Sequence, residues 1–156
     1  MKKIGLLLLL LLQFGWLHAQ DFSKMTKKEG FVPFYLDEEK GKIYLEINSL
    51  NQELLYVNTL TSGIGSNDIG LERGQLGETR VIEFRKAGNK ILMVHKNYDY
   101  RAYTKNAYEA KSIQDAFAQS TLWGFEVVKS EGNTHIVDAT NFFLQDVHGV
   151  SETLAR

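Results

Sequence analysis

Apolar residues are distributed along this chain in three ways, and each predicts a different kind of element. The first is an almost unbroken leucine run from Ile4 to Trp16, behind Lys2 and Lys3 and ending at Leu17-His18-Ala19. A basic start, a short apolar stretch and a small residue at the end are the parts of a secretory signal peptide. The run falls short of the ~20 apolar residues that a membrane-crossing helix needs. Residues 1–19 are therefore read as a signal peptide, and the protein as exported to the periplasm, the outer surface or the medium, with no permanent membrane span after cleavage. Residues 20–30, rich in lysine, read as a polar leader into the domain.

The second distribution is alternation. Phe31, Phe34, Tyr35 and Leu36, the turn cluster Asp37 to Gly41, and Ile43, Leu45 and Ile47 on one face of Lys42 to Asn48 predict a hairpin with one buried side. Glu53 to Leu60 reads as a third strand, and Thr79 to Lys86 as a fourth with Val81, Ile82 and Phe84. After the turn signal Ala87-Gly88-Asn89, the run Ile91-Leu92-Met93-Val94 is apolar on both faces, which suits a central strand. Phe125 to Lys129 and Thr134 to Asp138 form a further hairpin.

The third distribution is helical spacing. Ser112-Ile113-Gln114-Asp115 resembles a capping box, with Ile113 and Phe117 on one face and Gly124 as the stop. From Thr140 onward, Phe143, Val147, Val150 and Leu154 recur at helical intervals and predict a C-terminal helix with one apolar stripe. The stripe meets Arg156 without a stop signal, so a truncated chain is expected. Together these elements predict an α+β fold over residues 31–156: a mainly antiparallel sheet of about seven strands, one short helix and a C-terminal helix.

One stretch fits none of the three. Gly63 to Gly77 holds five glycines in fifteen residues, yet also carries Ile64, Ile69, Leu71 and Leu76. Ordering so much glycine is entropically costly, and a merely flexible linker would not need the apolar residues. The segment reads either as an ordered hairpin connection or as a docking loop whose apolar residues pack down and whose polar content is Asn67, Asp68, Glu72 and Arg73.

Composition narrows the function. The chain of 156 residues has no cysteine, so disulfides, thiolate chemistry and a lipidated N-terminal cysteine are all excluded. Acidic residues slightly outnumber basic ones, 19 to 18, and removal of Lys2 and Lys3 widens the gap, so nucleic acid is not an expected partner. Four of seven tyrosines fall between Asn97 and Ala110, interleaved with Arg101. Tyr100 and Arg101 can read as part of a stacking surface for a sugar or base, and equally as the cover of a core edge.

The familiar catalytic patterns are missing from the sequence. His95, His135 and His148 make no His-Glu-x-x-His pair, and there is no Gly-x-Ser-x-Gly elbow or Walker lysine. Asp68 and Glu72 are oxygen donors of the kind calcium takes, at a spacing common in any loop. No catalytic or metal-ligating residue is assigned, and no cofactor is expected in this chain.

Several segments do resemble a known group. Phe34-Tyr35-Leu36-Asp37 with Gly41-Lys42-Ile43, then Leu54-Leu55-Tyr56-Val57, then Gly65 to Gln75, then Phe117-Ala118-Gln119-Ser120 with Trp123-Gly124-Phe125, are similar to the N-terminal region of large exported bacterial zinc-dependent metallopeptidases. The resemblance covers nearly all of the chain after the leader. Glu72 stands where that family usually has aspartate. The resemblance implies a non-catalytic N-terminal domain whose partner is the catalytic domain of the same parent chain. Zinc and its extended His-Glu-x-x-His motif would belong to that later domain. The alternative is a stand-alone envelope binding module that takes a glycan or peptide on the Tyr98 to Tyr108 segment. A small enzyme complete in this chain has no residue set to support it.

Overall fold

The computed structural model describes residues 20–65 and 69–155, so the proposed signal peptide and the loop residues Asn67 and Asp68 lie outside the described residues. Eight strands form one antiparallel sheet: β1 (Thr26–Lys28), β2 (Phe34–Asp37), β3 (Lys42–Ile47), β4 (Glu53–Tyr56), β5 (Arg80–Ala87), β6 (Lys90–His95), β7 (Ser120–Glu131) and β8 (Thr134–Asp138). Their order across the sheet is β1-β2-β3-β8-β7-β6-β5-β4. With one helix of ten residues and two short helical turns, the fold is α+β and mainly sheet, as the alternation predicts.

The order constrains the shape. β3 and β4 are joined by only Asn48 to Gln52, yet they stand five places apart in the sheet. Laid flat, five strand spacings are about 24 Å, more than a linker containing a turn at Asn51 reaches. The sheet therefore curls, and Leu45 and Ile47 of β3 share one core with Ile82, Phe84, Met93 and Phe125 from the far half. The backbone N–H of Asn51 donates to the carbonyl of Phe84 at 2.8 Å and closes the curl.

The concave face holds this core because side chains alternate across a strand. Its open side is plugged by Phe142, whose ring lies 5.2 Å from Phe125, 5.7 Å from Trp123 and 6.2 Å from Tyr56. β6, paired on both sides, buries Ile91, Met93 and Val94, in keeping with the central position that its apolar run predicts.

Several boundaries depart from the sequence reading. Residues 20–30 are more than a leader: a 3-10 turn at Phe22–Lys24 sets the Phe22 ring against Tyr35 and Tyr44, and β1 pairs with β2 as an edge strand. One long-range aromatic contact outweighs a polar local composition. The third strand stops at Tyr56, because Asn58 to Leu60 pair with Gln75 to Gly77 across the neck of the glycine loop and leave β5.

The helix α1 spans Ala107–Ala116, with Asn106 as its cap, so Ser112 lies inside it and caps nothing. Gly124 stops no helix. It sits in the middle of β7, opposite Leu92, where pairing with β6 decides the conformation.

The C-terminal stripe forms two short helices, α2 (Thr140–Phe143) and α3 (Val150–Leu154), rather than one. Gly149 between them adopts a left-handed φ of 62°. The Asp146 carboxylate accepts from the N–H groups of Val150 and Ser151, a local bond that competes with continued helix. Phe143, Val147 and Leu154 are left exposed.

Candidate binding groove

β5 presents a second pattern beneath its apolar one. Ile82 and Phe84 face the core, so Glu83 and Arg85 share the opposite, outer face. Glu83 is nonetheless only 5 % exposed. Burying a lone carboxylate is costly, and the structure offsets this with two cations: Arg85 pairs with Glu83, and Lys96 Nζ donates to Glu83 Oε2 at 3.2 Å. Burial pushes the Glu83 carboxyl up, but the bonds and charges from Arg85 and Lys96 outweigh it and hold the group below its ordinary value.

Arg85 and Lys96, the two cations on Glu83, line a groove together with the connection between β6 and β7. Its lining elements are the segment after His95, which carries Tyr98, Tyr100 and Arg101, and the face of α1 with Ala110, Ile113 and Phe117. The cap at Asn106, whose side chain accepts from the Tyr108 N–H at 3.0 Å, fixes where that helix begins. Between these pieces and β5 runs an open groove of about 760 Å³.

Each aromatic in the groove is held. The Tyr100 ring stacks on Phe117, with 3.8 Å between centroids and 5° between planes, while its remaining surface stays exposed. The Arg101 guanidinium lies 4.2 Å from the Tyr98 centroid, and its Nε donates to the Tyr98 carbonyl at 3.0 Å. Tyr98 in turn donates its hydroxyl to Glu53 on the edge strand. Arg85 also donates to Gln119 Oε1 at 2.7 Å, which leaves the Gln119 amide nitrogen as a donor. Among the described residues Arg101 forms no ion pair.

Of the residues singled out from sequence, Tyr100 and Arg101 come together in this groove. Glu72 and Arg73 are placed elsewhere, exposed on the glycine loop, and no hydrogen bond among the described residues joins the two sets. The loop is ordered at its base. A Cβ at Gly63 would fall 2.6 Å from the Arg73 backbone nitrogen and 2.9 Å from the Leu71 carbonyl oxygen, so only glycine allows that approach. Packing down of the apolar residues holds for Leu71, at 4 % exposed, and not for Ile64, Ile69 or Leu76.

The sequence reading missed Glu83, Arg85, Lys96, Phe117 and Gln119 as parts of this site. The available signal was a glutamate inside an apolar strand with arginine two residues on, which places both on the same face.

A second concave region lies at the mouth of the curled sheet. This apolar groove of about 480 Å³ takes Phe31, Leu55 and Phe143 on its rim and Leu54, Met93 and Phe125 on its walls. Among the described residues no cluster of three histidine, aspartate or glutamate side chains could hold a metal ion, and no helix is long and apolar enough to cross a membrane.

Residues 74–156 match the family model described as Domain of unknown function (DUF5117), and residues 21–63 match one described as Domain of unknown function (DUF5118). No curated protein and no solved structure matches.

Proposed function

The chain belongs to the family described as Domain of unknown function (DUF5117), and we propose that it is a non-catalytic module of an exported zinc-dependent metallopeptidase that docks onto the catalytic domain of the same polypeptide. The observation that carries this reading is the apolar rim at the mouth of the sheet. Phe31 is 75 % exposed, Leu55 72 % and Phe143 51 %, along a groove that already leads into the core. An exposed apolar surface of this kind, beside a concavity, is what an intramolecular partner covers.

The link to the peptidases rests on the resemblance of Phe34 to Ile43, Leu54 to Val57, Gly65 to Gln75 and Phe117 to Phe125. On this reading zinc and the residues that hold it belong to the catalytic domain, and this chain supplies neither. The neck of the glycine loop touches the C-terminal segment: the Asn58 side chain meets His148 at 3.1 Å, next to the exposed Val147. Export through the leucine run at residues 4–16 fits a peptidase that works outside the cytoplasm.

The coding DNA beyond Arg156 tests this first. We expect an in-frame continuation that contains His-Glu-x-x-His; a closed reading frame without that motif overturns the proposal. In the full-length enzyme, Leu55→Asp with Phe143→Asp is then expected to lower peptidase activity while the melting temperature of this module stays the same.

A further inference from the structure

We propose that the groove between β5, α1 and the Tyr98–Arg101 segment binds an acidic sugar, a uronate residue of a glycan, at a place separate from the docking rim. The charge is the first argument. Arg85 and Lys96 are committed to the buried Glu83, whereas the Arg101 guanidinium has one N–H on the Tyr98 carbonyl and no carboxylate partner among the described residues. The groove therefore offers one uncommitted cation, already oriented by a ring, which suits a single carboxylate.

The walls give the second argument. Beside Arg101 stand an exposed Tyr100 surface, backed and flattened by Phe117, and the side-chain amides of Gln114 and Gln119. An aromatic face accepts the C–H face of a sugar ring, and amides serve its hydroxyls.

The third argument separates sugar from peptide. An extended peptide gains its affinity by adding a strand to a free sheet edge. β5, the strand that contributes Arg85 to the groove, is paired on both sides and offers no such edge. The volume of about 760 Å³ accommodates a disaccharide.

The test is titration of the purified chain with digalacturonate, followed by backbone amide NMR shifts, beside three controls: neutral galactobiose, an aspartate dipeptide and inorganic phosphate. We expect digalacturonate to shift the amides of Tyr100, Arg101 and Gln119 and to bind at least about tenfold tighter than each control. Arg101→Gln is expected to remove that tenfold preference over galactobiose, and Tyr100→Leu to weaken both sugars together. Each variant also gives up a contact that holds this connection, the stack on Phe117 or the contact with Tyr98, so a small fall in melting temperature is expected in both, and the ratio of acidic to neutral sugar binding is the readout that separates recognition from stability. Equal binding of acid and neutral sugar, tighter binding of dipeptide or phosphate, unchanged binding by Arg101→Gln, or no groove shifts at millimolar sugar each overturns the proposal.

Discussion

Two long connections leave the same half of the sheet, and they are built by opposite means. The glycine loop between β4 and β5 is held by its backbone: Leu60 and Gly74 to Gln75 exchange hydrogen bonds at its neck, Gly77 donates to Asn58, and Gly63 lies against the backbone of Leu71 and Arg73. Its side chains are left largely outside. The connection between β6 and β7 is held by side chains, through the Tyr100–Phe117 stack, the Arg101–Tyr98 contact and the cap at Asn106. Backbone closure leaves Ile64, Ile69 and Leu76 exposed, whereas side-chain closure leaves a groove lined by Tyr100, Arg101 and Gln119.

That contrast can be broken residue by residue. The largest effect is expected at Glu83, where Glu83→Gln leaves Arg85 and Lys96 without their counter-charge. Breaking a buried pair costs about 3 kcal/mol, at the low end because both cations still reach water. Denaturant unfolding measures it, and the groove rather than the loop should loosen.

At the other connection, Gly63→Ala forces a Cβ into the Arg73 backbone and is expected to cost about 2 kcal/mol, with faster proteolysis confined to the loop. Asn106→Ala removes only the cap of α1 and is expected to cost about 1 kcal/mol.

Acid sharpens the same comparison. The Glu83 carboxyl is held below its ordinary value of 4.5, so its contribution is fully present above about that pH and is lost as pH falls through the lower folded value. A pH series of unfolding measurements should show that loss in the parent and a flatter acid limb in Glu83→Gln. Asp138, also held low, leaves a residual slope in both.

The sheet was legible in the sequence because its strands announce themselves locally, by alternation at Lys42 to Asn48 and by a doubly apolar run at Ile91 to Val94. What was not legible depended on partners distant in the chain. Thr26 to Lys28 are polar and become a strand only because β2 is there to pair with. Ser120 to Gly124 read as a helix end and become strand only against β6. In the groove, Tyr100 and Arg101 stood out as an aromatic and basic cluster. Glu83 did not, because one of the two cations that compensate its burial, Lys96, comes more than ten residues later. Asn67 and Asp68 fall outside the described residues, so the loop contributes Glu72 and Arg73 to the comparison.

The two family matches meet at the same loop, one ending at residue 63 and the other beginning at residue 74. Yet β4 on one side of it pairs with β5 on the other, and both halves fill a single core. The loop thus joins two sequence units within one structural body.

Hydrogen exchange measured on this chain alone and within the proposed full-length peptidase tests the division of labour most directly. We expect added protection along β4, at the neck of the glycine loop and over residues 140–155, with the amides of residues 97–101 exchanging alike in both. Protection that falls on the tyrosine groove and leaves the apolar rim unchanged would contradict the account.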